Sequence, residues 1–330
     1  MKREQMLIPG TATMDPTLLA DIARIERERP TFRNPEGTVT LYHDDCLAVL
    51  ARLPAESADV VFADPPYFLS GKGSTCRGGK RAAVSKGGWD VPTTVAEMHA
   101  FNRAWLAACK RVLKPNGTLW VCGTQHNIHS CGFALQELAY KLLNDITWEK
   151  VAPPPNLACR TFTHATETLI WASRDRKSRH HYDYKAMKAD NGGKQMKSVW
   201  HFDRPRGIEL EHGTYPTQKP LALLDRVMRA SLPHGGTAVD PFMGSGTAGV
   251  VVHALGGIYI GIDQSEAAVA LARTRICGAP AAPAIVARSA PEHCCSTLCQ
   301  ATKTTSGPGL GPSRRFCECT CDACVQAYEG

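Results

Sequence analysis

From Thr38 onward, short runs of apolar residues alternate with stretches whose apolar positions recur every third or fourth residue. TVTLYH is followed by DCLAVLARL, ADVVFA, the helical AEMHAFNRAWLAACKRVL, a Pro-Asn-Gly turn and TLWVCG. Further on come TLIWAS, the helix PLALLDRVMRASL, and the runs TAVD and IYIGID, each with a helix behind it. Strands apolar on both faces, interleaved with helices, predict an α/β fold: one mostly parallel sheet of about seven strands with helices on both faces.

The alternation has three interruptions. Residues 1–36 are charged and broken by Pro, with one helical stretch, Pro16 to Arg29, that places Leu18, Leu19, Ile22 and Ile25 at helical spacing. They predict an arm that packs on the main body or on a second subunit. Between Arg174 and Arg206 lie ten Lys or Arg against four Asp, and an insertion of that length inside a compact domain is expected to be functional or disordered. Residues 277–330 shift to Ala, Pro, Ser, Thr and Gly with clustered Cys. The expected organisation is therefore an arm over 1–36, a catalytic domain over 37–276 with an insertion around 174–214, and a tail over 277–330.

Composition narrows the class. The 330 residues are 43% hydrophobic and 21% charged, a folded chain and not a disordered one. Lys and Arg outnumber Asp and Glu by 38 to 31, which favours a polyanionic partner without requiring one. No apolar run approaches the roughly 18 residues of a membrane span, and the N-terminus lacks a signal-peptide core, so a cytoplasmic location is expected. Of 14 Cys, six are scattered before residue 160, as reduced core thiols are. In the tail, Cys321-x-x-Cys324 has a zinc-ligand spacing but the other spacings are irregular. A flexible reduced tail without metal is the expectation, with zinc the alternative.

Two stretches carry chemistry. In TAVDPFMGSGTAG, Gly244, Gly246 and Gly249 match GxGxxG between a strand and a helix, where backbone can come close to a nucleotide-like ligand. Asp263 ends the next strand, placed to accept hydrogen bonds from ribose hydroxyls. That spacing suits NAD or S-adenosylmethionine, and the Asp-Pro-Phe ahead of the glycines favours the second. In the other stretch, ADVVFA ends in Asp64-Pro65-Pro66-Tyr67. Two prolines fix φ at about −65° and lack amide hydrogens, so the turn is stiff and its carbonyls can accept. A carboxylate, a carbonyl and an aromatic plane together suit an exocyclic amine on a flat base, with Tyr67 stacking on the ring.

DPPY, DPFMGSGT and the YPTQKP just ahead of the latter resemble the amino-group DNA methyltransferases. The order, catalytic motif first and cofactor loop last, resembles their beta class and covers residues 38 to 276. The resemblance implies an S-adenosylmethionine-dependent methyltransferase fold and transfer of a methyl group to an exocyclic amine of an extruded base in double-stranded DNA. Asp64, Pro65, Pro66 and Tyr67 would be catalytic. Asp240, Phe242, Gly244, Ser245, Gly246 and Thr247 would form the cofactor loop, with Asp263 on the ribose where many of the class have Glu. Asp45 and Cys46 match the motif that contacts the cofactor adenine. Thr217, Gln218 and Lys219 match the one that closes over the methionine carboxylate. Trp89-Asp90 resembles a pair that follows the catalytic loop. DPPY, together with PPPNLACRTFTHATETLIWASR, favours adenine N6 over cytosine N4.

Basic residues supply the expected DNA contacts. Lys72, Arg77, Lys80, Arg81 and Lys86 lie in a Gly-rich loop suited to phosphates, and Arg174, Arg176, Lys177 and Arg179 open the insertion expected to lie in the groove. Cytosine C5 chemistry would need a Pro-Cys nucleophile, which no Cys here provides. The rival readings are N4-cytosine methylation, methylation of a protein or RNA amine, and a non-catalytic DNA-binding relative. A homodimer and a partner restriction endonuclease are expected by analogy with the class.

Overall fold

Asp64 and Asp240 end adjacent parallel strands, and the rest of the architecture explains how residues so distant in sequence come to do so. The computed structural model describes residues 29–68, 74–77, 80–83 and 94–278, with backbone alone for 74–77 and 80–83. β1 (Phe32–Arg33), β2 (Val39–His43), α1 (Cys46–Arg52) and β3 (Ala58–Ala63) come first. A separate antiparallel hairpin, β4 (Ser74–Arg77) with β5 (Lys80–Ala83), precedes α2 (Val95–Val112), β6 (Leu113–Gly123) and α3 (Ile128–Glu137). Then follow β7 (Lys141–Lys150), β8 (Thr166–Ser173), α4 (Tyr184–Asp190), β9 (Val199–Phe202) and a 3-10 turn at Gly207–Leu210. α5 (Leu221–Ser231), β10 (Thr237–Asp240), α6 (Thr247–Ala254), β11 (Ile258–Asp263) and α7 (Glu266–Cys277) complete the described chain.

The main sheet has the order β1-β2-β11-β10-β3-β6-β8-β7-β9. Strands β2, β11, β10, β3 and β6 run parallel; β8 runs antiparallel to both β6 and β7, and β9 is parallel to β7. The sheet is thus single and mostly parallel as expected, with nine strands and not seven. The added edge strands β1 and β9 have two and four residues, too short to leave a periodic trace. The Pro-Asn-Gly expected as a turn is instead an irregularity at the start of β6, where pairing jumps from Ala58–Leu113 to Val60–Thr118.

Alternation along β3 divides the core. Val60 and Phe62 pack with α5, α6 and α7, whereas Val61 and Ala63 pack with α1, α2 and α3. α2 begins at a reciprocal cap between Thr94 and Glu97 and buries Asn102, Trp105, Leu106, Cys109 and Val112 along one stripe. Each fully buried side chain of this kind contributes roughly 1.5–3 kcal/mol. Cys46, Cys109, Cys122 and Cys131 are free and buried, as expected of reduced core thiols, whereas Cys159, expected with them, is exposed in the β7–β8 connection.

Among the described residues no helix is long and apolar enough to cross a membrane. Residues 32–33 of the expected arm join the sheet beside β2. The helix expected from Pro16, the Trp89-Asp90 pair, Lys72, Lys86 and the cysteines of the tail beyond Gly278 lie outside the described residues.

Candidate active site

The β3–β10 ladder (Val60–Ala238, Val61–Val239) sets the carboxyl ends of these strands side by side, at the edge where open α/β sheets bind ligands. Beyond β3 the chain turns through Asp64-Pro65-Pro66, and Asn127 Nδ2 donates to the Pro66 carbonyl at 2.9 Å, pinning the turn to the start of α3. Beyond β10, Asp240 accepts the Phe242 N–H at 3.1 Å and the Tyr259 hydroxyl at 3.3 Å. Burial pushes the Asp240 carboxyl up to about 8. One cavity of about 330 Å³ receives both corners: Asp64 and Pro66 on one side, and Asp240, Phe242, Gly244, Ser245, Thr247 and Asp263 on the other.

The three glycines serve different ends. Gly244 has φ +49°, and a Cβ there would lie 2.8 Å from Tyr215 Cε1, so this glycine lets the Tyr215 ring close over the loop. Gly246, at φ +73°, and Gly249 face α7 and β11; Cβ atoms there would meet Ala272 at 2.7 Å and Ile276 at 2.5 Å. Those two are packing glycines. Asp263 braces the loop through Gly244 N–H at 2.9 Å and accepts Ser265 N–H at 2.8 Å; burial raises its carboxyl above the ordinary range.

The cavity fits a cationic nucleoside. Asp44, Asp64, Glu97, Asp240 and Asp263 line it against one ammonium, Lys219, while Phe62, Phe101 and Phe242 supply apolar wall. Gln218 Oε1 is buried without a hydrogen-bond partner among the described residues, although its Nε2 donates to the Glu209 carbonyl at 2.8 Å. A buried acceptor without a donor suits a ligand ammonium.

Several expected site residues stand elsewhere. Asp45 caps α1, accepting from Leu47 and Ala48 N–H at 2.9 and 3.0 Å, and is absent from the cavity wall; Asp44 and Cys46 line it instead. Lys219 is buried, and its ammonium donates to Asp64 Oδ2 and to the Thr217 carbonyl at 3.3 Å, so two of its donors are engaged within the protein, one of them on the Asp64 carboxylate. Tyr67 is also buried: its hydroxyl donates to Asp64 Oδ1 at 2.6 Å, and the ring is not on the cavity wall where stacking was expected. The pull of this ion cluster on the hydroxyl turns the ring inward. The aromatic that faces the cavity from this turn is Phe68, at φ +55° and edge-on to Phe101 with ring centroids 6.0 Å apart.

Glu167, at the start of β8, was missed by sequence reasoning, for nothing marks it between Thr166 and Thr168 just ahead of the apolar run. It is buried, salt-bridged to Lys150 at 2.6 Å, and 3.6 Å from the Lys219 ammonium. Opposed by burial, these two cations hold its carboxyl down at about 2.

The expected DNA contacts divide. Arg77, Lys80 and Arg81 are on the β4–β5 hairpin. Arg174, Arg176, Lys177 and Arg179 lie at the end of the sheet away from the cavity. β8 pairs with β6 from Thr168–Gly123 at the catalytic edge to Ser173–Thr118 at the other, and five residue steps carry the chain roughly 17 Å away. There Arg174 pairs with Glu56 at 2.7 Å and Arg179 N–H donates to Asn116 Oδ1 at 2.9 Å. β9, parallel to β7, brings the chain back, so the later residues Arg204 and Arg206 stand at the catalytic edge with Arg160 of the β7–β8 connection.

A doubly wound sheet with a nucleoside-type cavity opening onto a carboxylate-proline corner defines an S-adenosylmethionine-dependent methyltransferase of nucleic-acid amines. The chain belongs to the DNA methylase family of N6 and N4 enzymes, matched over residues 58–274. It is 49% identical to the Type II methyltransferase M2.DpnII of Streptococcus pneumoniae over 242 residues, 73% of this chain and 90% of that one. The M1.HpyAVI–SAM complex superposes with TM-score 0.54 at 22% identity, covering 72% of this chain and 98% of that one. PvuII DNA methyltransferase (cytosine-N4-specific) gives TM-score 0.61 at 18% identity, covering 79% and 93%. The protein is an S-adenosylmethionine-dependent DNA methyltransferase.

Proposed function

We propose that the protein methylates N6 of adenine in double-stranded DNA, on a base swung out of the helix. The observation that carries the reading is the single cavity receiving Asp64 from one strand end and the Gly244–Asp263 loop from the next two. Adenine is favoured over cytosine by the Asp that opens the DPPY motif and by the high identity to M2.DpnII.

The cofactor, when bound, supplies a methyl group already activated on sulfonium. The chain's part is alignment. Asp64 accepts one amine hydrogen and the Pro65 carbonyl the other, which draws the nitrogen out of conjugation with the ring. Asn127 holds the turn from behind through the Pro66 carbonyl, and Phe68 offers its face to the base. Asp263, Asp240 and Gln218, which line the cavity, would hold the nucleoside and amino-acid portions of the cofactor. Arg160, Arg204 and Arg206, exposed on the catalytic rim, meet phosphates, as does the hairpin carrying Arg77, Lys80 and Arg81.

The wider reading is a modification enzyme of a restriction system, cytoplasmic, working beside a cognate endonuclease and pairing with a second copy through the N-terminal arm. The term Type II methyltransferase in the name of the pneumococcal relative supports the first part. Transfer of labelled methyl to duplex DNA followed by nucleoside analysis tests the reaction: N6-methyladenine is expected, and N4-methylcytosine alone would overturn the base assignment.

A further inference from the structure

We propose that Glu167 is a positioning residue for methyl transfer, sharing the donors of Lys219 and Tyr67 with Asp64 so that Asp64 keeps lone pairs for the target amine. The inference rests on the reading of Asp64 as the residue that grips that amine.

Both oxygens of Asp64 already accept from the protein, Oδ2 from the Lys219 ammonium and Oδ1 from the Tyr67 hydroxyl at 2.6 Å. A carboxylate held so tightly by a buried cation would be a poor acceptor for a neutral amine. The same two donors face a second carboxylate. Glu167 Oε2 stands 3.4 Å from the Tyr67 hydroxyl and 3.6 Å from Lys219 Nζ, just beyond good hydrogen-bond range. Small shifts of Lys219 and Tyr67 toward Glu167 would release Asp64 as the amine arrives, with no charge moving through solvent. The other oxygen, Oε1, is anchored by Lys150 at 2.6 Å, so Glu167 keeps its position while its inner oxygen takes up donors. Two carboxylates and two ammoniums leave the cluster neutral in sum, which is how such burial is tolerated.

Ionisable groups face this cluster from every element packed on it: Cys122 of β6, Lys150 of β7, His164 ahead of β8, Asp240 of β10, and Tyr215 with Lys219 ahead of α5. Burial raises the Cys122 thiol and the Tyr215 phenol out of the working range. Burial, with Lys150 adding to it, lowers the His164 imidazole below its ordinary value while Glu167 opposes them, so the test is run in a His164→Gln background.

The experiment is single-turnover methyl transfer to duplex DNA as a function of pH, with KM measured for DNA and for cofactor. Glu167→Gln leaves Lys219 a single carboxylate partner. It is expected to slow transfer by about tenfold or more, to change either KM by less than about threefold, and to displace the acid limb to lower pH. Lys150→Met removes the outer anchor, lets the Glu167 charge weigh more on the cluster, and is expected to displace the same limb to higher pH. Glu167→Asp, which keeps the charge, is expected to recover part of the rate. Opposite displacements are a signature that loss of packing does not produce. The proposal is overturned if Glu167→Gln transfers at the parental rate with its acid limb unmoved, or, should that variant fail to fold, if Lys150→Met leaves the limb in place. Asp64→Asn is run in parallel: methylation by that variant would sink the reading of the site itself, independently of Glu167.

Discussion

Asp263 Oδ2 accepts the backbone N–H of Gly244 at 2.9 Å, so the end of β11 holds the first glycine of the loop that follows β10. The acid predicted to meet the ribose therefore also shapes the loop. Asp263→Ala would leave that N–H without its acceptor, at a cost of about 1–3 kcal/mol if the loop stays buried. The expected outcome is a lowered melting temperature together with cofactor affinity weakened by more than about tenfold; calorimetric titration with S-adenosylmethionine and a thermal melt measure the two.

Asp240 is expected to make cofactor binding pH-dependent. Its folded value of about 8 lies above the ordinary 3.8, so between those values the folded protein holds a proton that the unfolded chain has released. Stability from this group is therefore greatest at the acid end, falls as pH rises through the window, and stops changing above about 8. A cationic ligand nearby favours the ionised form. Binding should tighten as pH rises toward that value and release a proton at neutral pH. Titrations in buffers of different ionisation enthalpy read the proton directly, and Asp240→Asn should abolish its release.

Gly244→Ala would combine a strained φ with a Cβ 2.8 Å from Tyr215 Cε1. Strain alone costs about 1 kcal/mol, and the ring must also move. In a Tyr215→Ala background the same substitution should cost less, with a coupling of roughly 0.5–3 kcal/mol in a double-mutant cycle of unfolding free energies. Equal costs in the two backgrounds would mean that the ring is not what the glycine accommodates.

The two basic clusters should behave differently on DNA. Arg204→Ala with Arg206→Ala should weaken binding across sequences and lower the salt slope by about one per lost phosphate contact. Arg176→Ala with Arg179→Ala, at the opposite edge of the sheet, should leave both quantities unchanged. Fluorescence anisotropy over a range of salt concentrations separates the pairs, and a reversed ranking would move the DNA interface to the other end of the sheet.

The sequence made legible what is local: strands apolar on both faces, the stiff proline turn, and the glycine loop with its following acid. These signals lie within a few residues of each other. What it concealed depends on long-range pairing. Lys219 lies 155 residues from Asp64, and only the ladder between β3 and β10 together with the turn at Thr217, where φ is +61°, makes them an ion pair. Glu167 stands between two threonines ahead of an apolar run and joins the Lys219–Asp64 cluster only because β8 starts at that edge of the sheet. The direction of β8 was equally hidden, since a basic cluster does not reveal which end of an antiparallel strand it follows. Asp45 and Asp44 are neighbours of identical type, and the helix cap decided which one turned away from the cavity.

Because β3 and β10 are direct hydrogen-bonded neighbours, their backbones are spaced by a single inter-strand interval of about 4.8 Å, fixed before any ligand arrives. Bringing the two reactants together thus demands no hinge and no swing of one lobe against another. What must move in the reaction as proposed is the nucleic acid, whose base has to leave its stack.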